Sequence, residues 1–291
     1  MKKVTKDFII IPSSLSSNNC KKKVTISLLE KGCHTFSTSY YASKIIKSNL
    51  SRIYNNKCAF CENDTTAGAS LQVEHYRPKA KVTEEVNHPG YYWLGYEWSN
   101  LLYACSKCNR SKATFFPIKP SGTRVKAPNY ISPGILDYSK SRSFYIDYIN
   151  EEPLIINPEV TSPRKHFTFL PTGKIRGNTD EGKETILKCK LYRNPLVIVR
   201  KKLISDVLHE LKKVVSDFNK GSVSNDTVRY IVRNEVLKLL KIYNDNLSFS
   251  ELARTALLNF DYYFIRRFGF QKDQNLLRGY FEEIKKIFSN I

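Results

Sequence analysis

Cys58-Ala-Phe-Cys61 and Cys105-Ser-Lys-Cys108 each separate two thiols by two residues. That spacing lets a tight turn present two sulfurs to one tetrahedral metal, and two such turns supply all four ligands. Seven cysteines scattered at random over 291 residues would give roughly 0.14 pairs at this separation, so chance is a poor account of two. Four thiolates leave no open coordination position. They describe a structural Zn2+ site that contributes folding free energy on the order of 10 kcal/mol instead of catalysis. The alternatives are two buried reduced pairs or a redox CxxC, and no βαβ pattern flanks either knuckle to favour the redox form. Cys20, Cys33 and Cys189 lack ligand-like spacing and read as small buried residues.

The segment between the knuckles contains Val73-Glu-His-Tyr-Arg-Pro-Lys79 and Tyr92-Trp-Leu-Gly-Tyr-Glu-Trp-Ser-Asn-Leu-Leu102, and Cys108-Asn-Arg-Ser-Lys112 closes the unit. A carboxylate next to a histidine sets a hard oxygen ligand beside a tunable base. An asparagine in a later loop can orient that imidazole, and a second oxygen ligand on a helix can complete a divalent-metal face. This is the equipment of phosphodiester hydrolysis. Each residue also has a plainer reading. His75 alone would be a hydrogen-bonded core histidine, Asn100 a cap for a helix beginning at Leu101-Leu-Tyr-Ala, and Tyr91, Tyr92, Trp93 and Trp98 core packing. His88, before Pro89-Gly90, reads as a turn residue, and His166 and His209 as structural or surface residues.

The elements that must position these residues show a clear order. Val4 to Ile11 reads as an edge strand, Tyr40 to Tyr54 as a basic amphipathic helix leading into Cys58, and the prolines from Pro117 to Pro133 as a helix-free connector. Phe144 to Ile149, Leu154 to Ile156 and His166 to Leu170 with Lys174 to Arg176 are strand-like. From Thr185 the period becomes helical, with Leu203, Val207, Leu211, Val214 and Phe218 on one face. A capping box at Ser248-Phe-Ser-Glu251 and a last helix from Leu276 to Phe288 follow. The fold class is α+β, in four parts: a basic arm and helix at 1–57, a knuckled module at 58–120, a proline-rich connector with short strands at 121–184, and a helical bundle at 185–291. The chain carries 47 Lys plus Arg against 27 Asp plus Glu, a formal charge of +20, with the module itself nearly neutral between basic flanks. Such an excess attracts polyanions, and nucleic acid is the natural partner. No apolar run approaches the length of a bilayer span and Met1 to Pro12 is too charged for a signal peptide, so a cytoplasmic protein with no membrane partner is expected.

At these residues the sequence resembles the HNH branch of the ββα-metal nucleases, whose pattern runs carboxylate-His, then Asn, then a last His or Asn, often threaded through two CxxC knuckles. The surrounding words, CAFCE, VEHYRPK and YYWLGYEWSNLLYACSKCNRSK, are more specifically similar to the HNH subunit of Septu-type antiphage defence, also found as a retron-associated effector. The specific part of this resemblance covers residues 58 to 117. It implies a zinc-knuckled ββα-metal module in which His75 is the general base, Glu74 and Asn109 hold one Mg2+ or Mn2+, and Asn100 orients His75 or its loop. Asn109 stands where many members have His. Arg77, Lys79, Arg110 and Lys112 lie within a few residues of those positions and can clamp phosphates, or else are solvated charges.

The resemblance also implies an ABC/SMC-like ATPase subunit docked on the helical bundle, and, in a retron-associated system, a reverse transcriptase with its DNA. No GxxxxGK[ST] pattern occurs, so nucleotide dependence must come from another chain. DNA is the preferred substrate on the family's account, since lysine does not distinguish DNA phosphates from those of a structured RNA such as tRNA. The competing functions are a zinc-stabilised nucleic-acid-binding module without hydrolysis and an adaptor for an acidic protein.

Overall fold

Ser17 and Ser43 each turn a side-chain oxygen onto a first-turn amide, Cys20 N at 3.2 Å and Ile46 N at 3.3 Å, and so start the two longer helices of the N-terminal arm. The arm runs α1 (Ser13–Ser16), α2 (Asn18–Glu30), α3 (Thr38–Tyr41) and α4 (Lys44–Tyr54). The single helix expected from Tyr40 to Tyr54 is therefore split where Ser43 caps. In α4, Ile46, Leu50 and Tyr54 fall four residues apart and are buried together, and Asn55 in the left-handed region (φ 48) ends the helix three residues before Cys58. The expected edge strand at Val4 to Ile11 does not form. The Lys6 ammonium is buried there, donating to the carbonyls of Trp98 (2.7 Å) and Leu101 (2.6 Å) and to Glu159 Oε1 (3.2 Å). Those long-range partners set the backbone path, and local periodicity carries no trace of them.

The computed structural model describes residues 1–287, so Phe288, the expected end of the last helix, lies outside the described residues. The chain forms two units: Met1–Phe167 with Gly177–Leu191, and Thr168–Arg176 with the residues from Tyr192 onward. At the centre of the first unit, β1 (Gln72–His75) pairs antiparallel with β2 (Leu101–Ala104), Glu74 opposite Leu102 and His75 opposite Leu101. All four residues of β2 are buried. Leu101 to Ala104 is thus strand and not the helix that Asn100 was placed to cap, because its backbone completes the ladder with β1. α5 (Ser106–Lys112) follows at once, completing a β-β-α order.

Beyond it come β3 (Tyr130–Ser132) paired with β4 (Ile135–Leu136), and α6 (Ile146–Ile149), a helical turn where the apolar run from Phe144 reads as strand. Leu154 to Ile156 forms no strand either, and the nearest pairing is the isolated bridge between Ile118 and Pro153. The turn at Pro171-Thr-Gly173 does join β5 (Phe167–Phe169) to β6 (Ile175–Gly177) as expected, and α7 (Asp180–Lys188) is capped by Thr179.

The second unit is helical: α8 (Asn194–Asn219), α9 (Asn225–Asn244), α10 (Ser250–Leu258), α11 (Phe260–Tyr263) and α12 (Gln271–Ile287). Val207, Leu211 and Val214 of α8 and Val228, Val232, Val236 and Leu239 of α9 are buried at helical spacing. Phe260 stacks on Phe281 of α12 with ring centroids 4.2 Å apart. The helix expected after the box at Ser248-Phe-Ser-Glu251 forms as α10, one residue later than a Ser248 cap would start it. Phe249, at φ 61, takes the N-cap position with no side-chain cap bond. No helix among the described residues is long and apolar enough to cross a membrane.

Candidate active site and metal centre

The first knuckle follows α4 directly and the second straddles the β2–α5 junction. Ala59 N donates to Tyr103 O (2.7 Å), which pins the first knuckle to β2, and Glu62 (φ 62) turns the chain so that its amide reaches Cys58 O (2.9 Å). The four thiols of Cys58, Cys61, Cys105 and Cys108 are buried, and their sulfurs all lie within 4.8 Å of one another, Cys61 and Cys105 at 3.9 Å. Four sulfurs about 2.3 Å from one tetrahedral ion stand about 3.8 Å apart, so the cluster fits a metal such as zinc. Burial pushes the Cys58 thiol up, while hydrogen bonds from Cys108, Cys58 and Cys61 hold Cys105 far below the ordinary thiol value. Without a cation the set cannot carry four thiolates.

Glu74 and His75 end β1, both buried. His75 Nε2 lies 2.9 Å from the carbonyl oxygen of Gly95, which can only accept, so Nε2 carries the proton and Nδ1 is the bare nitrogen. Nδ1 accepts from Lys79 Nζ at 3.3 Å, and the Tyr41 ring closes edge-on at 4.7 Å. Burial, then the Lys79 charge, hold the imidazole well below the ordinary histidine value, so it is neutral at physiological pH.

Asn100 is fully buried and does not cap a helix. Its Oδ1 accepts from Arg77 N (2.8 Å), and its Nδ2 donates to the carbonyls of Arg77 (3.0 Å) and Leu94 (3.2 Å). It thereby ties the backbone just past His75 to the loop whose Gly95 carbonyl holds the imidazole. Gly95 was missed at the sequence level, because a backbone carbonyl leaves no signature there. A Cβ on Gly95 would overlap the Phe36 ring. Gly95→Ala is therefore expected to cost about 1–3 kcal/mol by overpacking and to disturb the carbonyl under His75, measured as a lowered urea midpoint with unchanged m-value.

Glu74 Oε1 accepts from Lys112 Nζ at 2.8 Å, and the same ammonium donates to His75 O at 3.0 Å. Burial raises the Glu74 carboxyl, against the pull of Lys112 and Lys79. Asn109 on α5 donates from Nδ2 to Gln72 Oε1 at 2.9 Å. Gln72 and Glu74, two apart on β1, share a strand face, so Asn109 stands along the same edge as the carboxylate. A carboxylate and an amide oxygen are the donor types that a hard divalent cation takes. Lys112→Met would leave Glu74 buried without its ammonium, a loss of about 3 kcal/mol at neutral pH. Denaturation at pH 7 and pH 5 should show the loss shrinking in acid, as protonation of Glu74 removes the unpaired charge.

The four basic residues separate. Arg77 is buried, its Nε on Glu151 Oε2 at 2.7 Å and its Nη2 on Tyr148 O at 2.8 Å, and Lys112 is fully buried against Glu74. Lys79 is half-buried beside His75, and Arg110 is exposed on α5. Among the remaining histidines, His88 accepts Gly90 N at 3.0 Å in the turn it was expected to make, and His34 meets Tyr96 OH at 3.2 Å.

No family model and no solved structure matches the chain. It is 34% identical over 181 residues to Septu protein PtuB of Bacillus mycoides (strain KBAB4), covering 60% of this chain and 55% of that one. It is 23% identical over 246 residues to Septu protein PtuB of Bacillus thuringiensis, covering 83% and 77%. A third similarity, 26% over 171 residues, is to Septu protein PtuA of the same Bacillus mycoides strain, covering 57% of this chain and 22% of that one. The chain thus spans about half the length of the first relative and under a quarter of the PtuA protein. The chain is thus similar in sequence to Septu PtuB proteins, and it carries a buried thiol cluster beside a β-β-α core.

Proposed function

We propose that the protein is a metal-dependent endonuclease of the HNH type that hydrolyses phosphodiester bonds of nucleic acid, DNA in preference, as the effector of an antiphage defence complex. The observation that carries the reading is the histidine at the end of β1, its proton held on Nε2 by Gly95 O and its Nδ1 bare, next to a buried carboxylate and opposite α5. Water attacks phosphorus while His75 Nδ1 takes its proton, Nε2–H stays on the Gly95 carbonyl, and the bond to the leaving sugar oxygen breaks. A divalent Mg2+ or Mn2+ held by Glu74 and Asn109 would supply the positive charge that the phosphate and the leaving oxygen need. Lys79 leaves Nδ1 for the incoming phosphate, which frees the base as substrate arrives, and Arg110 adds a second phosphate contact from the surface of α5. Arg77 and Lys112 act from within, holding backbone and carboxylate. Cys58, Cys61, Cys105 and Cys108 would hold a structural Zn2+, which would tie the first knuckle to the β2–α5 junction.

Similarity to proteins named PtuB and PtuA supports a two-component Septu system. A PtuA-like ATPase is accordingly the proposed partner, with a retron as a further possible context. A second reading, nucleic-acid binding without hydrolysis, is favoured by the grip of Lys112 on Glu74, which competes with a divalent ion for that carboxylate. The deciding experiment incubates the chain, with and without the PtuA-like product of a neighbouring gene, with plasmid, single-stranded DNA and total tRNA in Mg2+, Mn2+ and EDTA. Cleavage that requires the divalent ion and His75 supports the nuclease. Salt-sensitive binding with no cleavage under any arm supports the second reading.

A further inference from the structure

Three buried side-chain nitrogens of the first unit have no hydrogen-bond partner: Arg77 Nη1, Asn157 Nδ2 and His166 Nε2. All three residues line one cavity of about 280 Å³, whose walls include Tyr76, Tyr148, Ile155 and Ile156. Native folds leave few buried polar atoms unsatisfied, and three on a single cavity is the pattern of a site awaiting a ligand. Each nitrogen is also held in place. Arg77 is fixed by Glu151 and by Tyr148 O, and Asn157 by its Oδ1, which accepts Glu159 N at 2.9 Å and so assigns the free end of the amide as the donor.

His166 Nδ1 lies 2.6 Å from Thr179 Oγ1. That hydroxyl also accepts Gly182 N, so Nδ1 is engaged and Nε2 alone is left facing the cavity. Burial holds His166 below its ordinary value, so the ring is neutral and Nε2 donates or accepts according to its tautomer. The cavity thus offers two donors and one imidazole nitrogen that can donate or accept, between aromatic and aliphatic walls. A free anion is a poor match. The Arg77 charge is already balanced by Glu151, and on the wall the Lys165 charge is met by that of Glu181.

A planar ring with acceptors and a donor on its edge matches all three atoms, and the volume suits one such ring with its sugar. We infer that this cavity binds a single nucleobase, brought by a free nucleotide or by an unstacked strand. The inference stands apart from hydrolysis, because Glu74, His75 and Asn109 do not line the cavity.

The test titrates the full chain calorimetrically with the four ribonucleoside 5′-monophosphates, with ribose 5-phosphate and with inorganic phosphate. It then compares a single-stranded oligonucleotide with its abasic counterpart, which carries the same phosphates. Saturable binding of at least one monophosphate, absent for ribose 5-phosphate, identifies a free nucleotide as the source. Binding of the intact oligonucleotide about tenfold tighter than the abasic one, with no monophosphate binding, identifies a strand-borne base. In either case Asn157→Asp, which keeps the acceptor for Glu159 N and replaces the free donor with an oxygen, should weaken binding about tenfold. His75→Ala should leave it unchanged, so loss of the nuclease reading does not touch this one. Equal binding of ribose 5-phosphate or phosphate, full affinity in Asn157→Asp, or no preference for bases in any arm overturns the inference.

Discussion

His75→Ala is expected to lower divalent-dependent cleavage by about 10²–10⁴-fold while metal content and thermal melting stay near those of the parent chain. The expectation follows from the site: His75 bonds to one backbone carbonyl and one lysine, and neither bond is needed to close the β1–β2 ladder. The rate should be level from alkaline pH down to the ordinary histidine value near 6.5 and fall only below it, because the folded imidazole resists protonation. Lys79→Met removes one of the charges that depress it, so the acid limb of the profile should move to higher pH. The same shift has a stability counterpart. The unfolded chain takes up the His75 proton first, so stability falls as pH drops below about 6.5 toward the folded value. A His75→Ala chain that cuts at the parent rate would remove the imidazole from the mechanism.

Cys58→Ser and Cys105→Ser are expected to abolish cooperative folding of the first unit. A structural tetrathiolate site contributes on the order of 10 kcal/mol, as much as the whole net stability of a typical domain. Plasma mass spectrometry should find one zinc per parent chain and less in each variant, and a high-affinity chelator should reproduce the unfolding. The α8–α12 bundle buries its own apolar faces, so helical circular dichroism should survive in part. A metal-free parent chain with undiminished melting temperature would mean that the sulfurs cluster for packing alone.

How far sequence reads ahead depends on the range of the interaction. The knuckles were legible because two-residue spacing is itself the geometry of the turn. Glu74 and His75 stand together by chain adjacency alone, while the Gly95, Lys79 and Lys112 contacts that set their surroundings come from other segments or loops and leave no local pattern. The bundle followed from apolar spacing, which needs only the helix to be defined. Misreadings came where a distant partner decided. Leu101 to Ala104 is strand because β1 lies beside it, and Lys6 holds its segment irregular by reaching Trp98, Leu101 and Glu159. Arg77 and Lys112 were expected at phosphates but lie on Glu151 and Glu74, 74 and 38 residues away. The cavity draws its walls from Tyr76 to Glu181, and no local pattern announces it.

Two four-residue strands make a weak ladder, and a one-residue slip would turn Val73 toward the place of Glu74. The first knuckle is bonded to β2 through Tyr103, and the second begins at the residue after β2. Both knuckles therefore hang from β2, and the sulfurs stay together whichever register β1 takes. The side to which the acid turns is chosen instead by the last residue of α5, since the Lys112 ammonium reaches both Glu74 Oε1 and the His75 carbonyl only when β1 lies in this one alignment.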